Sequence, residues 1–86
     1  MPRISQYYGI VIYMYYEDHA PPHFHAIYGE FEAIIEIETG QVLDGSLPRR
    51  ALKLVKAWLR LHRDELMANW NLARAHLPLN LVDPLD

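Results

Sequence analysis

The segment Asp18-His19-Ala20-Pro21-Pro22-His23-Phe24-His25 brings three imidazoles and a carboxylate within eight residues. Imidazole ligates borderline metals and titrates near neutral pH, so such a cluster suits either metal binding or proton transfer. His23 and His25 open a run, His23 to Tyr28, that reads as a strand. Residues two apart on a strand project from one face, so both imidazoles leave together.

The strand that pairs with them decides which carboxylate they meet. Gly29-Glu30 separates His23–Tyr28 from Phe31–Ile37, and a two-residue loop with glycine first is the composition of a tight type II′ hairpin. That register sets Tyr28 opposite Phe31 and His23 opposite Glu36, with His25 opposite Ile34 and diagonal to Glu32 and Glu36. His23, His25 and Glu36 are then a ligand set for zinc or another divalent transition metal. The same three residues could cleave RNA by acid–base catalysis. A simpler alternative keeps them structural: His23 and Glu36 form a cross-strand ion pair while His19 and His25 close the loop, worth a few tenths to about 1 kcal/mol each. No nucleophile motif, phosphate-cradling glycine loop or Cys/His zinc spacing accompanies the cluster.

The alternation that aims the histidines also defines a core. Phe24, Ala26, Tyr28, Phe31, Ala33, Ile35 and Ile37 share one face, and His23, His25, Ile27, Glu32, Ile34 and Glu36 share the other. A slip of one residue would bury Glu32 and Glu36, whose desolvation cost supports this register. Before the hairpin, Gly9 to Tyr16 is β-branched and aromatic without a break and reads as a central strand, stopped by Pro21 and Pro22. After it, Thr39-Gly40 turns the chain into a short strand at Gln41–Leu43, and Asp44-Gly45 ends the meander.

From Leu47 the period becomes helical. Ser46 is the expected N-cap, with Pro48 in the first turn. Ala51, Leu54, Val55, Trp58 and His62 fall on one inward arc with Leu59 at its margin, and His62 reads as a hydrogen-bonded core residue. Arg49, Lys53, Lys56, Arg60 and Arg63 cluster on the opposite side as an anion- or partner-binding stripe, or else as an ordinary solvated face. Leu66, Trp70, Ala73 and Leu77 continue the period on a rotated stripe, so a kink or break is expected near Arg63-Asp64, with Asp64 able to cap a second helix.

These elements make one α+β domain over residues 1–86: an antiparallel three- to four-stranded β-meander (1–45), a helical segment (46–76) formed by one long kinked or two consecutive helices packed on one sheet face, and an extended tail (77–86). A chain of 86 residues supports one core, and without cysteine its stability must come from packing. The early apolar run is too short to span a membrane and lacks a cleavage site, so a soluble, cytoplasmic protein is expected. Net charge −3 hides a division. Residues 1–46 hold seven acids against Arg3, whereas residues 47–86 hold seven bases against four acids. Tyr7, Tyr8, Tyr13, Tyr15, Tyr16 and Tyr28 crowd the first third, which favours an interface with a small partner protein or a second copy of the chain.

The opening Met1-Pro2-Arg3-Ile4-Ser5-Gln6-Tyr7-Tyr8-Gly9-Ile10, the loop Asp18 to Ala26 and the run Gly45-Ser46-Leu47-Pro48-Arg49-Arg50-Ala51 together resemble the small bacterial family called domain of unknown function 4160. The resemblance implies no catalytic residue. It implies a small gene paired with another short one, and hence an interaction module of a toxin–antitoxin-like two-gene system. A His-dependent RNA-cleaving toxin and a stand-alone structural domain without catalytic activity are the alternatives.

Overall fold

The computed structural model describes residues 2–86; Met1 of the expected span lies outside them. Five antiparallel strands in sequential order, β1 (Arg3–Tyr7), β2 (Ile10–Tyr13), β3 (His23–Tyr28), β4 (Phe31–Glu36) and β5 (Val42–Gly45), form a meander, and one helix, α1 (Arg49–Arg74), follows. The sheet therefore has more strands than the three or four expected. The extra one is β1, whose Arg3, Ser5 and Gln6 dilute its apolar pattern. It turns into β2 through Tyr8 and Gly9, both at positive φ (49° and 79°), the conformation of a type I′ hairpin. The strand expected from Gly9 to Tyr16 is thereby cut to Ile10–Tyr13.

The β3–β4 register matches the expected one residue for residue, from Tyr28 opposite Phe31 to His23 opposite Glu36. Desolvation enforces it, because the alternative would bury two glutamates. β5 pairs with β4 through an irregularity and spans Val42–Gly45, so Asp44-Gly45 lies within the last strand instead of following it, and Gln41 precedes the strand.

Ile10, Ile12, Phe24, Ala26, Ala33, Ile35 and Ile37 are buried against Ala51, Val55, Trp58, Leu59, Leu66, Trp70 and Ala73 of α1. Trp58 is at the centre, edge-on to Phe24 with ring centroids 5.7 Å apart and 5.2 Å from the Tyr7 ring. Tyr28 and Phe31, expected in this core, are 38% and 41% exposed. Both sit at the turn end of the hairpin, where Tyr28 lines a cavity of about 550 Å³ with Tyr8, Asp86 and the first turns of α1.

The helix starts two residues later than expected, with Pro48 at the N-cap position and no side-chain cap, so Ser46 does not cap it. Its kink falls at His62 (φ −125°, ψ 22°), one residue before the expected position, and the helix resumes without a break. His62 is half-buried, with Nδ1 2.7 Å from Glu65 Oε1. After Arg74, His76 adopts φ 57°, and the bonds from Leu77 N to Leu72 O and from His76 N to Ala73 O complete a Schellman cap. Leu77, expected on the helical stripe, lies beyond the helix and is exposed.

The tail then folds back. Asn69 takes both backbone groups of Asn80, Trp58 Nε1 donates to Asp83 O, and Val82 N donates to Ile4 O on β1. No helix among the described residues is long and apolar enough to cross a membrane.

Candidate metal centre

His23 and His25, the first and third residues of β3, alternate with Phe24 and so leave the opposite side of the strand, and both are largely buried, at 8% exposure. Trp70 of α1 closes over His23, their ring centroids 5.1 Å apart, and the Tyr15 ring meets His25 edge-on at 4.3 Å. Burial first, then the nearby charges of Glu32 and Asp18, raises the Tyr15 phenol above its ordinary value, so its hydroxyl stays protonated beside the cluster.

The β2–β3 loop supplies the carboxylate. Asp18 Oδ2 is 3.1 Å from His23 Nε2 and 3.0 Å from His25 Nε2, and Asp18, His23 and His25 each offer a ligand atom within 4.8 Å of the others. The loop is held at its far end, where Pro22 O accepts from Ile37 N.

Both outer ring nitrogens are occupied. His23 Nδ1 lies 2.7 Å from Pro21 O, and a carbonyl oxygen only accepts, so Nδ1 donates there while Nε2 points at Asp18 Oδ2. His25 Nδ1 lies 3.1 Å from Glu32 Oε2, the equivalent arrangement with a carboxylate as acceptor. An acceptor on the Nδ1 side of each imidazole is the arrangement that orients histidines to ligate a metal through Nε2.

Asp18 Oδ2 therefore faces two imidazole nitrogens at once. Protons on both would satisfy it as hydrogen bonds. The repulsion of two imidazolium rings with centroids 5.4 Å apart, about 3 kcal/mol at an effective dielectric of about 20, would be offset by the Asp18 and Glu32 carboxylates at 3.0–3.1 Å. A single divalent cation supplies the same charge at one point and accepts both lone pairs. Ligands held about 2.0–2.2 Å from one ion lie about 3.3–3.6 Å apart at tetrahedral angles and about 2.8–3.1 Å apart at octahedral ones, so the 3.0–3.1 Å contacts suit octahedral spacing directly and would widen by a few tenths of an ångström around tetrahedral zinc.

His23 and His25 thus meet as expected, whereas the carboxylate beside them is Asp18. Glu36 stands opposite His23 in the register, but its Oε1 accepts a 2.6 Å hydrogen bond from Thr39 Oγ1. The expected His23–Glu36 ion pair is replaced by His23–Asp18. Asp18 was visible within the motif, but the direction of a loop side chain does not follow from strand alternation.

On the basic stripe, Arg49, Lys53 and Arg60 are exposed and Lys56 is half-buried. Arg63 turns back to the sheet, donating from Nε to Ile37 O at 3.0 Å.

The family model described as a domain of unknown function (DUF4160) matches residues 9–71, which spans β2 through most of α1 and includes Asp18, His23, His25 and Glu32. The chain belongs to the DUF4160 family. Neither curated proteins nor solved structures give a match to it. In this DUF4160 chain β1, the helix end at Arg74 and the returning tail lie outside the matched span.

Proposed function

We propose that the chain is a divalent transition-metal-binding domain in which His23 Nε2, His25 Nε2 and Asp18 Oδ2 are the ligands. The observation that carries this reading is the convergence of the three atoms while Pro21 O and Glu32 hold the opposite nitrogens. Three protein ligands leave a coordination position for an exogenous ligand, which is the design of reactive instead of purely structural centres. A bound ion would act there as a Lewis acid on an anionic oxygen. An RNA-cleaving toxin would be the catalytic form of this site.

Titration of the untagged, metal-free chain with zinc, read by native mass spectrometry, tests the proposal. One ion per chain in wild type, lost in a folded His23→Ala/His25→Ala variant, is the expected result. Equal uptake by both proteins, or none by wild type, contradicts it.

A second reading is a protein-interaction module, as half of a two-gene pair or as a homodimer. It is favoured by the exposed Tyr8, Tyr28 and Phe31 side chains, since exposed aromatics are typical interface anchors. Sedimentation of wild type and of a Tyr28→Asp/Phe31→Asp variant tests the homodimer. A wild-type dimer that the variant dissociates supports it, and a wild-type monomer at all concentrations removes it.

A further inference from the structure

Asp18 belongs both to the histidine cluster and to the wall of a neighbouring cavity of about 350 Å³, which is completed by Tyr16, His19, Ala20 and Arg74. Arg74 closes the last turn of α1, is exposed, and makes no ion pair among the described residues. His19 is likewise exposed and outside the cluster. Arg74 and His19 both border the carboxylate that the metal would use.

We infer that this cavity is the ligand subsite of the metal centre and takes a small phosphate-class oxyanion; the inference rests on the metal reading above. A divalent ion more than neutralises Asp18, and Arg74 adds a second positive charge, so the cavity becomes cationic within an otherwise acidic half of the chain. Asp18 is the cluster residue on this wall, so an oxyanion in the cavity would meet the ion past Asp18. The Arg74 guanidinium fork and the His19 imidazole on the lining would take the other two terminal oxygens of a phosphate monoester, whereas a carboxylate has only two oxygens to share. The C-terminal end of α1 is the unfavourable end of a helix dipole for an anion. Here, however, the Asn71, Leu72 and Ala73 carbonyls are taken by Ala75, His76 and Leu77 amides. The guanidinium charge therefore dominates the field at this end. Tyr16, stacked on His76 with centroids 6.3 Å apart, forms an aromatic wall of the cavity.

The experiment uses the full chain loaded with cobalt(II), whose visible absorption reports ligands entering its coordination sphere, and inorganic phosphate as the probe. Phosphate is expected to shift the wild-type spectrum saturably. In Arg74→Ala cobalt stoichiometry should be unchanged while phosphate affinity drops about tenfold or more, with Arg74→Lys recovering part of it. Circular dichroism confirms that each variant is folded. Cobalt-loaded wild type whose spectrum ignores phosphate, or an Arg74→Ala affinity within twofold of wild type, overturns the subsite while leaving the metal centre standing. Wild type that takes up no cobalt overturns the metal centre and the subsite together.

Discussion

Among single residues, Asp18 and Glu36 are the two carboxylates that separate a loop-supplied site from a strand-supplied one. Asp18 touches both Nε2 atoms, whereas Glu36 is bonded to Thr39. Asp18→Asn should weaken zinc binding by about 10–100-fold and Glu36→Gln should leave it within about twofold, as read by competition with a chromophoric chelator. A loss confined to Glu36→Gln would restore the strand-supplied set. Tyr7 presents a different problem, a hydroxyl buried without a hydrogen-bond partner beneath Trp58. Tyr7→Phe removes that orphan and should stabilise the fold by about 1 kcal/mol in urea denaturation. Burial raises the Tyr7 phenol far above its ordinary value. The folded chain therefore keeps a proton that the unfolded chain releases above about pH 10, and stability should fall there by about 1.4 kcal/mol per pH unit. Tyr7→Phe should remove this share of the alkaline loss, and an unchanged slope would contradict it.

Among elements, the central hairpin was the most legible in sequence, because Glu32 and Glu36 allow only one register with a dry core face. The helix was legible through the spacing of Ala51, Val55 and Trp58, and its kink through the rotated stripe beyond it. The strand β1 was not, since Arg3 and Gln6 interrupt its apolar pattern and Tyr8-Gly9 lacks the usual composition of its turn. The capture of Asp18 was illegible for a similar reason: nine residues join β2 to β3, and no period sets where a loop side chain points. The β4–β5 contact is tightly constrained. A Cβ at Gly45, where φ is +74°, would fall onto the Glu32 backbone carbonyl. Gly45→Ala should cost about 2–4 kcal/mol, lowering the melting temperature by about 10 °C or more. An unchanged melting temperature would show that β5 yields easily.

Over the whole molecule, no ion pair among the described residues joins the acidic sheet to the basic helix. The helix buries its apolar arc, Arg49, Lys53 and Arg60 face solvent, and the histidine cluster lies across the sheet from Phe24. The tail unites these parts, since it covers the β1 edge through Val82 and is pinned to α1 through Asn69. Asn69→Ala would leave both backbone groups of Asn80 without their partner. It should cost about 2–4 kcal/mol and accelerate hydrogen exchange at Val82, whereas protection at Val82 unchanged from wild type would show that the tail holds without this clamp.

The central claim is that one cation sits between Asp18, His23 and His25. Zinc-edge anomalous diffraction from crystals of the zinc-loaded chain tests it most directly. One peak bonded to His23 Nε2, His25 Nε2 and an Asp18 carboxylate oxygen, each at about 2.0–2.2 Å, is the predicted result. Zinc bound elsewhere, with Asp18 still hydrogen-bonded to the two bare imidazoles, would contradict it.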